Sequence, residues 1–144
     1  MKRHSALIPL SKEHHDSLIL AQVLKKDAPA YKGLPTDPAA KSEFAQKKFK
    51  DYISMHFDKE EAVLDKLRDC HNEIQKLGDE IIREHQQLKA AFLSLRQSQN
   101  LETDLDKLGH ALEEHIRKEE RILFPLIQDY VPEEMLTRIA PLIL

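Results

Sequence analysis

Histidine and glutamate are the residues from which chemistry can be built in this chain. Its 144 residues include eight histidines, no tryptophan and one cysteine, Cys70. A lone cysteine excludes thiolate metal clusters, internal disulfides and paired-cysteine redox motifs. Three His-x-x-x-Glu spacings occur: His56 with Glu60, His110 with Glu114, and His115 with Glu119. On a helix, residues four apart lie on one face about 6 Å from each other, so imidazole and carboxylate can reach toward common ligand positions. The His110 pair falls on a strip with Lys107, Arg117, Lys118 and Arg121, which reads as a solvated face. Neither the His-Glu-x-x-His pattern of zinc proteases nor the Glu-x-x-His pairs of carboxylate-rich di-iron bundles is present.

These side chains need helices to position them. Glycine and proline are scarce and clustered, and between the clusters the apolar residues repeat at threes and fours, with no alternating strand pattern. The pattern predicts a first helix from an N-cap at Ser11 to about Asp27 and a second from Pro38 to Cys70. A third begins near Asn72 and fades at Gln97–Asn100, a fourth runs from Leu101 to Leu126, and a short element from Pro132 to Ala140 packs across one end. The expected fold is all-α, an up-down-up-down four-helix bundle with a short C-terminal helix, in one domain spanning residues 1–144. A net charge of −3 without long blocks of like charge marks no nucleic-acid or membrane surface. The apolar run Ile122–Ile127 is far short of the roughly 20 residues that span a bilayer. A soluble, cytoplasmic protein is expected.

Placed on this framework, His14, His56, His85 and His115 each occupy an inward position where the periodicity asks for Leu or Ile, one per long helix. His14 is favoured over its neighbour His15 because it aligns with Leu7, Leu18 and Ala21. With Glu60 and Glu119 they make six inward ligands, which suit two first-row metal ions bridged by the two carboxylates better than one saturated ion. This donor set fits iron, manganese or zinc. Ligation requires deprotonated imidazoles, so affinity should fall as pH drops through about 6.5. Tyr52, one turn before His56, is expected on the same inward face, as a core residue first and as a hydrogen-bond donor to the site second, and Ile122 is expected in the core. His4 is expected to be disordered.

The chain also resembles the hemerythrin-like family, cation-binding domains with a recurring His-His-Glu pattern. Leu10–His15, His56–Glu61, Arg83–His85 and His115–Pro125 carry the resemblance, and His-x-x-x-Glu-Glu continuing into Leu-Phe-Pro is its most specific segment. The resemblance implies a non-haem di-iron site with an oxo or hydroxo bridge, supported by Glu60 and Glu119, that binds or senses oxygen or nitric oxide, or stores and donates iron. Where the oxygen carriers have a fifth histidine, four residues after the third-helix histidine, this chain has Lys89, which favours redox or nitric oxide chemistry over reversible oxygen carriage. A di-iron oxidoreductase acting in nitric oxide or peroxide detoxification or in iron-centre repair is one alternative. A metal-free bundle for protein contact is another. The sequence is compatible with a homodimer or a separate protein partner.

Overall fold

A computed structural model describes residues 2–144, and all regular structure among them is helical. α1 (Ile8–Leu24) is the first rod. The second is continuous through α2 (Pro38–Lys48), the π-turn π1 (Phe49–Ile53) and α3 (Ser54–Leu67). α4 (Asn72–Ser94) closes in a 3₁₀ turn, Leu95–Gln97. The fourth rod joins α5 (Leu101–Lys118), the π-turn π2 (Glu119–Leu123) and α6 (Phe124–Tyr130), and α7 (Glu133–Ile143) packs on α3. The result is a helical bundle.

Local chemistry sets most of the ends. Asp37 accepts from the Ala40 N–H ahead of Pro38, Asn100 accepts from Thr103 N–H, and His71 Nδ1 accepts from Glu73 N–H, so three helices start on side-chain caps. Ser11, expected as the cap of α1, lies inside it. The helix starts one turn earlier with Pro9 in its first turn, and ends at Leu24 because Lys25 turns to an extended conformation. His4 is ordered: its Nε2 pairs with Glu133 at 3.0 Å and its Nδ1 accepts the Ala6 N–H.

The π-turns explain where simple periodicity fails. In each, an N–H bonds back five residues, Ser54 to Phe49 and Phe124 to Glu119, so one extra residue enters the turn and the inward face slips. Tyr52 and Ile122, placed inward by counting threes and fours, are instead 64% and 55% exposed. Ile53 and Leu123, one residue later, are buried in their stead.

Buried apolar residues form two clusters. One gathers Leu7, Leu10, Val63, Leu67, Ile81, Phe124 and Ile139, among others. The other gathers Leu20, Leu24, Phe49, Phe57, Phe92, Leu112 and Ile116. In every rod the buried residue between the two sets is polar, His14, Glu60, His85 and Glu119 in turn, so a polar layer crosses the core.

α1 and α5 approach closely at Gly109, where a Cβ would sit 2.6 Å from the Ala21 carbonyl oxygen. At Gly78 the nearest atom is the flexible Leu64 Cδ2, at 3.2 Å. Gly109→Ala should therefore cost about 1–3 kcal/mol in urea unfolding, because backbone must move. Gly78→Ala should be neutral or stabilising by up to about 1 kcal/mol, since alanine favours the helix. Equal effects at the two positions would contradict this account of the α1–α5 contact.

Candidate metal centre

The polar layer contains the six residues singled out from the sequence. α1 supplies His14, α3 supplies His56 and Glu60, α4 supplies His85, α5 supplies His115, and Glu119 opens π2. None is more than 5% exposed, and Glu119 is fully buried. His15 faces solvent, so His14 is the member of the pair that joins the cluster. Lys89 is exposed and takes no part.

The six fall into two overlapping quartets, His14, His56, Glu60 and Glu119 in one and Glu60, His85, His115 and Glu119 in the other. Within each, one ligand atom per residue lies within 4.8 Å of all the others. Both carboxylates belong to both quartets. The Nε2 atoms of His56 and His85 are 3.1 Å from Glu60 oxygens, that of His14 is 3.2 Å from Glu60 and 3.6 Å from Glu119, and that of His115 is 2.8 Å from Glu119. Two donors at right angles on an ion, each about 2.1 Å away, are about 3.0 Å apart. The spacings suit neighbouring ligands on a shared ion as well as they suit hydrogen bonds.

Hydrogen bonding leaves this centre incomplete. Among the described residues, His56 Nε2, His115 Nε2 and both Glu119 oxygens are buried without a hydrogen bond of good geometry, although His56 Nε2 and Glu60, and His115 Nε2 and Glu119, stand at ion-pair distance, a costly arrangement for neutral groups. A cation in each quartet would satisfy all four atoms. On the donor set and on these unpartnered atoms, the residues fit metal binding.

The outward side of each imidazole is satisfied. Nδ1 of His14 meets Glu120 at 2.6 Å, Nδ1 of His56 meets Glu13 at 2.8 Å, Nδ1 of His85 meets Glu61 at 2.8 Å, and Nδ1 of His115 meets Glu84 at 2.7 Å. A carboxylate only accepts, so each Nδ1 donates, and in the neutral ring the lone pair is left on Nε2, facing the centre. The donations form a closed ring. α1 lends Glu13 to α3, α3 lends Glu61 to α4, α4 lends Glu84 to α5, and π2 lends Glu120 back to α1. Lys59 bonds Glu13 at 3.1 Å, Lys118 bonds Glu84, and Arg3 bonds Glu120 at 3.1 Å. Phe57 stacks on His85 with centroids 4.0 Å apart, and Phe124 lies parallel to His14 at 5.6 Å.

Sequence reasoning missed these four glutamates, although each adjoins a ligand candidate in the chain: Glu13 precedes His14, Glu61 follows Glu60, Glu84 precedes His85 and Glu120 follows Glu119. One residue along a helix is about 100° around it, which turns each toward the neighbouring rod. Tyr52 makes no such contact; Glu13 holds the place beside His56.

The sequence model of the Hemerythrin HHE cation binding domain matches residues 7–127. The chain belongs to this family. Comparisons with curated proteins and with solved structures return no match. Among the described residues of this hemerythrin domain, no helix is long and apolar enough to cross a membrane. Its buried His/Glu cluster is compatible with metal binding.

Charges in the layer are strongly coupled. Burial disfavours the protonated form of His56, but Glu60 and Glu13 outweigh it and hold the ring at about 9. His115 is likewise opposed by burial and raised to about 9 by Glu119 and Glu84. His14 stands well above its usual value against burial, through Glu119, Glu120 and Glu60. Glu60 is buried, yet the surrounding imidazoles, His56 foremost, hold it well below the usual carboxylate range.

These shifts move the pH window above the 6.5 expected of free imidazole. A ring raised in the folded state contributes stability that is complete below the unfolded value near 6.5 and is lost as pH rises through the folded one. Metal-free protein should therefore lose urea stability steadily between pH 6.5 and about 9. Cations compete with those protons, so metal affinity should rise over the same interval. A metal-free stability that climbs across it would contradict the assigned charge pattern.

Proposed function

We propose that this hemerythrin domain holds two iron ions, one in each quartet, and uses them to bind or sense a small diatomic ligand, oxygen or nitric oxide. The observation that carries the reading is the sharing of Glu60 and Glu119 by both quartets, with both oxygens of Glu119 buried and unpartnered. In this reading the rods run up-down-up-down, His14 and His56 are terminal ligands on one ion, His85 and His115 on the other, and the two glutamates bridge. Manganese or zinc would satisfy the same donors. The cytoplasm suits a chain whose one cysteine, Cys70, has no partner for an internal disulfide.

When bound, iron supplies one-electron chemistry and coordination places that two imidazoles and two carboxylates leave open. The chain's own part is to hold the donors still and to exclude water. The ring of glutamates fixes each imidazole with Nε2 inward, which raises its strength as a donor. Phe57 and Phe124 cover His85 and His14 with apolar surface. Glu60 and Glu119 would offset charge otherwise stranded in a buried layer. The concentration of six ionisable groups in one buried layer disfavours the alternative of a metal-free contact module, since apolar side chains there would serve a bundle without a ligand at least as well.

Metal analysis of protein reconstituted with ferrous iron should give near two ions per chain. His56→Ala and His115→Ala should each lower the content to about one, whereas Glu119→Ala should lower it below one, because that carboxylate serves both places. Retention of no iron by the intact protein would overturn the reading. Glu84→Gln keeps the shape of the side chain and should weaken iron binding about 10–100-fold in chelator competition.

A further inference from the structure

The supports of the four imidazoles differ in origin. Glu13 and Glu84 are each braced by a lysine within a rod, Lys59 on α3 and Lys118 on α5. Glu120 is braced from outside the rods, by Arg3 in the segment that precedes α1. Arg3 Nη2 donates to the Glu120 carboxylate at 3.1 Å and to the Glu120 carbonyl oxygen at 2.8 Å, while Nη1 donates to Gln128 Oε1 at 3.2 Å. Gln128 clasps the same segment, accepting the His4 N–H at 2.9 Å and donating to the Lys2 carbonyl at 2.9 Å.

The backbone supplies the reason for a cation there. In an α-helix the Glu120 carbonyl would accept from Phe124, but the π-turn gives that N–H to Glu119. The next residue is Pro125, which has no N–H to offer. Arg3 takes the vacated acceptor. Its guanidinium also lies 5.3 Å from the centroid of Phe124, whose ring is parallel to His14. Two routes thus run from Arg3 to the His14 imidazole, one through the Glu120 carboxylate and one through Phe124. Ser11, one turn before His14, donates its hydroxyl to the same carboxylate at 2.8 and 3.0 Å.

We propose that Arg3 is a positioning residue for the cation place built on His14 and His56, acting through Glu120 to hold the His14 ring, so that the segment before α1 governs how firmly that one of the two ions is retained. The proposal rests on the two-ion reading above. The guanidinium serves three acceptors from two nitrogens set apart across a planar fork, a spread that the single nitrogen of a lysine ammonium does not match. Without it, the quarter-exposed Glu120 side chain keeps Ser11 and His14 as its partners among the described residues and can swing outward, taking its hydrogen bond from the ring.

The test uses the full chain loaded with ferrous iron and a coloured ferrous chelator to time release. Arg3→Ala should speed the release of one ion about tenfold, the lower end of the effect of removing a ligand's hydrogen-bond support, and leave the other at its wild-type rate. Arg3→Lys should fall between, and Ser11→Ala, which leaves the N-terminal segment intact, should speed the same phase. His4→Ala, which loosens that segment at Glu133 and Ala6 while leaving the contacts of Arg3 itself in place, should speed the same phase less than Arg3→Ala and leave the other ion at its wild-type rate. A wild-type release profile in Arg3→Ala, or equal acceleration of both ions there and in His4→Ala, would overturn the proposal. In metal-free protein, the ring-proton resonance of His14 Nδ1 should broaden selectively in Arg3→Ala while those of His56 and His115 persist; persistence of all three would overturn it too. Failure of the wild type to take up iron would sink the two-ion reading instead, and the resonance experiment would still decide whether Arg3 holds the ring.

Discussion

Everything in this bundle is arranged around the difficulty of keeping six ionisable side chains in one buried layer. Isolated charges cannot be stranded there, and neutral polar atoms still need partners. The chain meets half of that demand itself, with a carboxylate at every Nδ1. The remaining half faces inward and is left to a ligand. Because each rod braces the imidazole of the next, rotation of any one rod would break two of these contacts, the one it gives and the one it receives. Rod orientation and ligand orientation are therefore a single geometric problem.

The two apolar clusters on either side supply the stability that such a layer cannot. Leu7, Leu67 and Ile139 on one side and Ala21 and Leu112 on the other are almost completely buried. Van der Waals contact and removal of apolar surface from water hold the rods together at both ends. The middle can then carry polar atoms whose burial a bound cation would offset. Gly109 belongs to this division of labour, since it lets α1 and α5 approach closely beside the layer.

Much of this was legible in the sequence because its signal is local. Helical periodicity located the rods, and histidines on otherwise apolar stripes located the layer: His14, His56, His85 and His115 interrupt runs of Leu, Ile and Phe. What could not be read was phase and partnership across rods. Tyr52 and Ile122 came out on the wrong side because a π-turn adds a residue that no propensity announces. Glu13, Glu61, Glu84 and Glu120 look like ordinary surface acids until the neighbouring rod is in place. Ser11 has the chemistry of a cap, and here its hydroxyl is spent on Glu120, 109 positions away in the chain.

The π-turns also decide where the second and fourth rods can change in length. Each takes in about one residue without the roughly 100° that a residue adds to an α-helix. Deleting Arg121 or Ile122 would therefore close the wide turn into ordinary α-helix with α6 still facing as it does now, Phe124 on the face of His14 and Leu123 and Ile127 in the apolar cluster they share. Deleting one residue from the α-helical stretch Leu101–Lys118 would instead turn the residues before it against those after it by roughly 100°. Homologous chains that keep this layer should accept single-residue gaps in these two short segments, and changes of length in the connector between α1 and α2, far more readily than gaps within the α-helical stretches.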